Sequence, residues 1–299
     1  MKYKIFFLLF FILLFVFSPL GSETAQVSNQ AERERLLQQI LQQIEILKQE
    51  ILLLQMLLSN LQSQQEITAP SYLAINLSDN SAVLKKNSDQ LYPIASITKL
   101  MTAVITLENI DADQTITLTE EILKPLGHSP ALFLGLNVSA ENLLKASLIQ
   151  STNDASEALA HFSRKETFLA LMNQKVKELE MTNTVFYDVH GLNPANRSTA
   201  QDLAKLLLYI HKNHPEILNI TRDNNFWLPD STGRLLKFQN VNNFYPLSTF
   251  IGGKTGYLPE AKQILASIFN VNEDPVAIII LYSNNRQADT FTILRKLRD

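Results

Sequence analysis

A chain of 299 residues with 46% hydrophobic and 18% charged residues is too apolar for intrinsic disorder and long enough for one or two domains. Twenty-six Lys+Arg against 29 Asp+Glu leave a formal net charge of −3, without the basic surplus a nucleic-acid binder uses to neutralise phosphates. The sequence has no cysteine, which removes disulfides, thiolate nucleophiles and zinc–thiolate sites.

Residues 1–22 read as an address. Lys2 and Lys4 precede an apolar run from Ile5 to Phe17, followed by Ser18, Pro19 and Gly21. A basic start, a short apolar core and small residues after it make a secretory signal. The run is shorter than the ~20 apolar residues of a spanning helix. No clean Ala-x-Ala site follows, so a cleaved signal peptide and a retained membrane anchor both stay open. The next base after the run is Arg33, so the positive-inside rule puts the remainder outside the cytoplasm. The expected location is extracytoplasmic, secreted or held on the outer face of the cytoplasmic membrane.

Residues 23–66 are expected to form a coiled-coil helix. Leu37, Ile44, Ile51 and Leu58 occupy a positions and Ile40, Leu47, Leu54 and Leu61 occupy d positions of an unbroken heptad seam. Isoleucine at central a positions with leucine at most d positions leans toward a parallel dimer, so a homodimer through this stalk is expected. The seam is about 36 Å long at the helical rise. The stretch Ile51 to Leu58 is apolar nearly all round, which leaves open packing on the globular domain or on a membrane surface. Gln62 to Gln65 then lead to Pro70, and a globular domain is placed at residues 67–299.

That domain reads as α/β. Tyr72 to Leu77 and Ala82 to Lys85 are β-prone runs about a Ser78-Asp79-Asn80 turn. Helical patterns fill Ser96 to about Ile220. Gln263 to Asn270 and Pro275 to Tyr282 form another strand pair, and a last helix covers about Gln287 to Arg298. Strands at both ends with helices between predict one sheet built from the two ends of the domain.

Three short motifs carry chemistry. Ser96 and Lys99 are three apart at the start of an apolar helix, so they share a face. A serine needs a base to take its proton, and a lysine desolvated by apolar neighbours can be that base. A solvated lysine one turn beyond a serine N-cap is the plainer alternative. Ser-x-Asn occurs at Ser78, Ser151 and Ser283. The first and last read as turn chemistry. Ser151 and Asn153 lie between two helices, where a hydroxyl and an amide can relay a proton and hold a carbonyl. Lys254-Thr255-Gly256 follows Gly252-Gly253 and fits a strand whose backbone approaches another group closely, with an ordinary glycine-rich turn as the alternative.

In this order the three motifs resemble those of the penicillin-binding proteins and serine β-lactamases, and more closely the low-molecular-mass D-alanyl-D-alanine carboxypeptidase family. The likeness extends to Pro93-Ile94-Ala95-Ser96-Ile97-Thr98-Lys99, Ile149-Gln150-Ser151-Thr152-Asn153-Asp154-Ala155, His190-Gly191-Leu192-Asn193 and Gly253-Lys254-Thr255-Gly256-Tyr257. It implies the transpeptidase fold of that family, an antiparallel sheet flanked by a helical cluster. It further implies that Ser96 forms an acyl-enzyme with Lys99 as general base and Ser151 as proton relay. Asn153 would hold the substrate carbonyl or Lys99. Lys254 and Thr255 would bind the terminal carboxylate, and the amides of Ser96 and Tyr257, beside Gly256, would form the oxyanion hole. The implied partners are peptidoglycan stem peptides, with β-lactams as covalent inhibitors; no metal or organic cofactor is implied.

The pattern departs from the family at Leu258, Ala261 and Lys262 on the groove rim, and at Glu180, where a helix-ending glycine is usual. Arg286 falls where some relatives keep an arginine near the carboxylate, or is a plain surface arginine. The expected activity is a D-Ala-D-Ala carboxypeptidase, with an endopeptidase of the same family as alternative. A β-lactamase would want a Glu-x-x-x-Asn loop, which no glutamate between the second and third motifs provides. A peptidoglycan-binding scaffold without turnover is the non-enzymatic reading.

Overall fold

The computed structural model describes residues 30–63, 66–125 and 131–298. The expected leader, residues 1–22, lies outside the described residues. The chain divides after Gln62 into two units. In the first, helix α1 (Gln30–Ser63) has 34 residues and is therefore about 50 Å long. Its seam side chains Leu37, Ile40, Ile44, Leu47 and Ile51 are exposed, as are Leu36 and Leu41 beside them. Among the described residues no helix is long and apolar enough to cross a membrane.

The second unit begins with β1 (Ser71–Asn76), β2 (Ala82–Lys86), β3 (Tyr92–Pro93), a 3-10 turn (Ala95–Ile97) and α2 (Thr98–Asn109). It continues through β4 (Thr115–Thr117), β5 (Asn137–Ser139), α3 (Ala140–Ile149), α4 (Asn153–Ala160), α5 (Lys165–Glu178) and β6 (Arg197–Ser198). Then come α6 (Ala200–Asn213), α7 (Pro215–Arg222), β7 (Asn225–Pro229), β8 (Leu235–Gln239), β9 (Phe250–Leu258), β10 (Lys262–Val271), β11 (Asp274–Ser283) and α8 (Arg286–Lys296).

The main sheet is antiparallel with strand order β2-β1-β11-β10-β9, so the two ends of the domain do meet in one sheet. Its centre is covered on both faces, which is why β10 and β11 read as continuous apolar runs. Ile264, Ala266 and Ile268, with Ala277, Ile279 and Leu281, face the large helical core. Leu265 and Phe269, with Val276, Ile278 and Ile280, face a second core closed by Phe244, Phe250 and Ile293 and Leu294 of α8. The β10–β11 hairpin turns on Asn272 and Glu273, both at positive φ (52° and 74°), the two-residue geometry that matches strand twist. Asp289 at 0% exposure accepts from the amides of Thr68 and Ala69 and from the Ser283 hydroxyl, fastening the entry into β1 to α8.

The sequence reading passes over two hairpins, β4–β5 and β7–β8. The strands of the first have three residues each, too short for a period to show. The second has a legible alternation, with Leu228, Leu236 and Phe238 buried and Trp227, Leu235 and Lys237 exposed.

Candidate active site

Ser96 lies on the 3-10 turn, one residue after Ala95 at φ 39°, and the α-helix proper starts at Thr98. Every residue from Thr98 to Thr106 is buried, so α2 is the central helix and Lys99, at 0% exposure, is shut off from the protein surface. The Lys99 Nζ points to three oxygens: Ser96 Oγ at 3.2 Å, Asn153 Oδ1 at 2.8 Å and the His190 carbonyl at 2.6 Å. A solvated lysine is thereby excluded. Burial pulls the Lys99 pKa down to about 7, with the Asp188 carboxylate acting in the opposite direction. A neutral amine would keep two N–H groups on Asn153 and His190 and turn its lone pair to the Ser96 hydroxyl. That is the arrangement of a nucleophile beside its base.

Asn153 opens α4, and its amide reaches Lys99 rather than open solvent. Ser151 stands two residues earlier in the α3–α4 loop, half-buried and at φ 63°. The other Ser-x-Asn copies are elsewhere: Ser78 sits in the exposed β1–β2 turn, and the Ser283 hydroxyl at the end of β11 donates to Asp289 at 2.6 Å.

The third motif is a strand, β9, at an edge of the main sheet. Lys254 and Thr255 pair with Ala266 and Leu265 of β10 and are both buried; Tyr257 pairs with Gln263 and is 64% exposed. A Cβ built on Gly256 would stand 3.1 Å from the Ser96 amide nitrogen, so the strand runs close against the nucleophile's backbone and any larger residue there would crowd it. Burial holds the Lys254 pKa well below its ordinary value, with the positive charges of Lys99 and Arg286 adding to the effect. Arg286 is half-buried and donates from Nη1 to the Gly256 carbonyl at 3.0 Å, so it belongs to this wall and not to the plain surface. A buried lysine and a half-buried arginine on this wall suit an incoming carboxylate.

On the rim, Lys262 takes a left-handed conformation (φ 52°) and donates to Asn284 Oδ1 at 2.9 Å, while Ala261 is fully buried. Glu180 adopts the left-handed position (φ 54°) expected of a glycine. It closes α5 with the Met181 amide on the Val176 carbonyl (2.9 Å) and its own amide on Lys177 (3.1 Å). The cap geometry is therefore kept despite the side chain.

Sequence reasoning missed the floor of the site. Asp188, His190 and Asn196 form a loop under Lys99, and Glu157 of α4 lies behind them. His190 was legible only as part of a resemblance, and nothing in local spacing marks Asp188 or Glu157. Among the described residues no cluster of three His, Asp or Glu side chains is arranged to hold a metal ion.

Residues 59–285 match the model of a family described as D-alanyl-D-alanine carboxypeptidase. The chain is 32% identical over 232 residues to a D-alanyl-D-alanine endopeptidase of Escherichia coli K12, covering 73% of each. It is 33% identical over 229 residues to a D-alanyl-D-alanine carboxypeptidase of Bacillus subtilis 168, covering 71% of this chain and 57% of that one. Among solved structures it is similar to penicillin-binding protein D2 of Listeria monocytogenes in its cefotaxime-bound form. That likeness has a TM-score of 0.69 and 25% identity, and covers 79% of this chain and 98% of the other.

Proposed function

From a chain that belongs to the D-alanyl-D-alanine carboxypeptidase family, a family of serine DD-peptidases, we propose a serine-type D-Ala-D-Ala carboxypeptidase acting on peptidoglycan stem peptides. The observation that carries the reading is the fully buried Lys99 with its Nζ at 3.2 Å from Ser96 Oγ. Ser96 Oγ attacks the carbonyl of the penultimate D-alanine while its proton passes to neutral Lys99. The oxyanion forms against the amides of Ser96 and Tyr257, donors worth about 3 kcal/mol each at such sites. Ser151 relays a proton to the leaving nitrogen, D-alanine departs, and water hydrolyses the Ser96 ester. Asn153 holds the base; Lys254 and Thr255, with Gly256 leaving room beside them, bind the terminal carboxylate.

A DD-endopeptidase is the second reading, favoured by the Escherichia coli relative that matches over the same share of both chains. Both reactions cut an amide between D-alanine and a D-centre bearing a carboxylate. They differ in whether that centre carries the rest of a second stem peptide. Incubation with a pentapeptide and with a cross-linked muropeptide dimer separates them: release of free D-alanine from the first supports the carboxypeptidase, and conversion of dimer to monomers alone supports the endopeptidase. β-Lactams, one of which the Listeria relative binds, are proposed to acylate Ser96.

The site is proposed to work outside the cytoplasm, with residues 1–22 as signal or anchor. Residues 23–66 are proposed as a stalk that dimerises through its seam, because Leu37, Ile40, Ile44, Leu47 and Ile51 form an exposed apolar stripe.

A further inference from the structure

The loop from Asp188 to Asn196 touches both ends of the Ser-x-x-Lys motif. Its His190 carbonyl accepts from Lys99 Nζ at 2.6 Å, and its Val189 carbonyl accepts from Thr102 Oγ1 at 2.6 Å. Asn196 donates from its side chain to Thr98 Oγ1 at 3.1 Å, while its carbonyl accepts from the Ile94 amide at 3.0 Å. A Cβ on Gly191 would stand 1.9 Å from the Ala95 carbonyl oxygen, so the loop lies directly on the residue before the nucleophile.

One carboxylate gives this loop its shape. Asp188 Oδ1 accepts from the His190 amide (3.2 Å), the Gly191 amide (2.6 Å) and the Asn196 side chain (2.8 Å), and Oδ2 accepts from the Asn193 amide (2.6 Å). Behind it the imidazole of His190 is wedged between two carboxylates. Its Nδ1 lies 3.3 Å from Asp188 Oδ2 and its Nε2 lies 3.6 Å from Glu157 Oε2. Glu157 is buried on α4, one turn below Asn153; its Oε1 accepts from Lys165 at 2.5 Å. Its Oε2 has no hydrogen-bond partner among the described residues. A buried carboxylate is expensive to keep without a purpose.

We propose that Asp188 is a positioning residue for the general base, tying the 188–196 loop into the form that aims the His190 carbonyl at Lys99 and fixing a negative charge behind the amine, with His190 and Glu157 as its buttress. The inference rests on the reading of Lys99 as the base. The charge opposes the desolvation of Lys99 and stops the amine from becoming too weak a base to accept the serine proton. The other ionisable groups around this point are Lys254 and Arg286 on the β9 side, Glu157 of α4, His161 just after it and Lys165 of α5.

The test follows the pH dependence of Ser96 acylation by a chromogenic cephalosporin in the full chain. Asp188→Asn keeps the shape and most of the loop hydrogen bonds but removes the charge. The acid-limb midpoint is expected to fall by roughly one pH unit, with a lower plateau. Glu157→Gln should move it the same way by less, and it decides the matter if Asp188→Asn does not fold. Asp188→Glu, which restores the charge on a longer arm, should return the midpoint but not the plateau. Midpoints unmoved in folded Asp188→Asn and Glu157→Gln, with only the plateau lowered, would overturn the proposal. Titration of Lys99 by NMR of Cε-labelled lysine needs no turnover. The same displacement in an enzyme that does not acylate would remove Lys99 as base while keeping Asp188's charge effect, whereas an undisplaced Lys99 would overturn that effect.

Discussion

Helix α1 and the floor of the catalytic unit invert the usual distribution of side chains in opposite ways. The helix exposes Leu37, Ile40, Ile44, Leu47 and Ile51, whereas the floor hides Lys99 and Lys254. Leucines in water and lysines out of it are each unfavourable in isolation. Exposed apolar side chains in a heptad are unfinished burial, which a second helix completes without chemistry. Buried cations cannot be finished by packing. Their cost is offset only by directed oxygens, as Lys99 has from Ser96, Asn153 and His190, and what they provide is a shifted proton affinity. One inversion points to a partner and the other to a reaction.

The two should therefore break independently. Lys99→Met should slow acylation by about a thousandfold or more while leaving the fold as stable or more so, because a buried cation is exchanged for a thioether of similar length. Stopped-flow acylation and thermal denaturation of the same sample check this; a large fall in both would make Lys99 a structural residue. Ile44→Asp should do the reverse. It should turn a sedimenting dimer of the chain from residue 23 into a monomer, with the acylation rate unchanged within about twofold. A monomeric parent would instead direct the seam toward the catalytic unit or a membrane.

The pH profile sharpens the same contrast. As the proposed base, Lys99 would take the serine proton only when neutral, and burial lowers its pKa to about 7. Acylation should rise about tenfold per pH unit below that point and level off above it. A profile flat from pH 5 to 9 would remove Lys99 as the base. The smallest effect belongs to a position that touches neither region. Glu180→Gly relieves a left-handed residue at the end of α5 and should add about 1 kcal/mol of stability, with activity unchanged.

The part of the site legible in the sequence is the part carried by short spacings. Ser96 and Lys99 lie within one helical turn, and Lys254 and Gly256 lie on one strand beside paired glycines. Asp188 and Glu157 escaped because their role depends on contacts with residues far along the chain, such as Asn196 reaching Thr98 across 98 positions. Arg286 was visible but undecided, since only the fold brings α8 beside the Gly256 carbonyl. The sheet was readable because β10 and β11 are covered on both faces and so are mostly apolar through their centres, with a turn between them. The three-residue strands β4 and β5 had no such signal.

The most direct measurement is the intact mass of the protein after incubation with a penicillin, beside a Ser96→Ala control. The account predicts one penicilloyl adduct per wild-type chain and none on the control, with penicillin in the tube otherwise unconsumed. A folded wild type that gains no mass and consumes no penicillin, or an adduct that persists in Ser96→Ala, would contradict it.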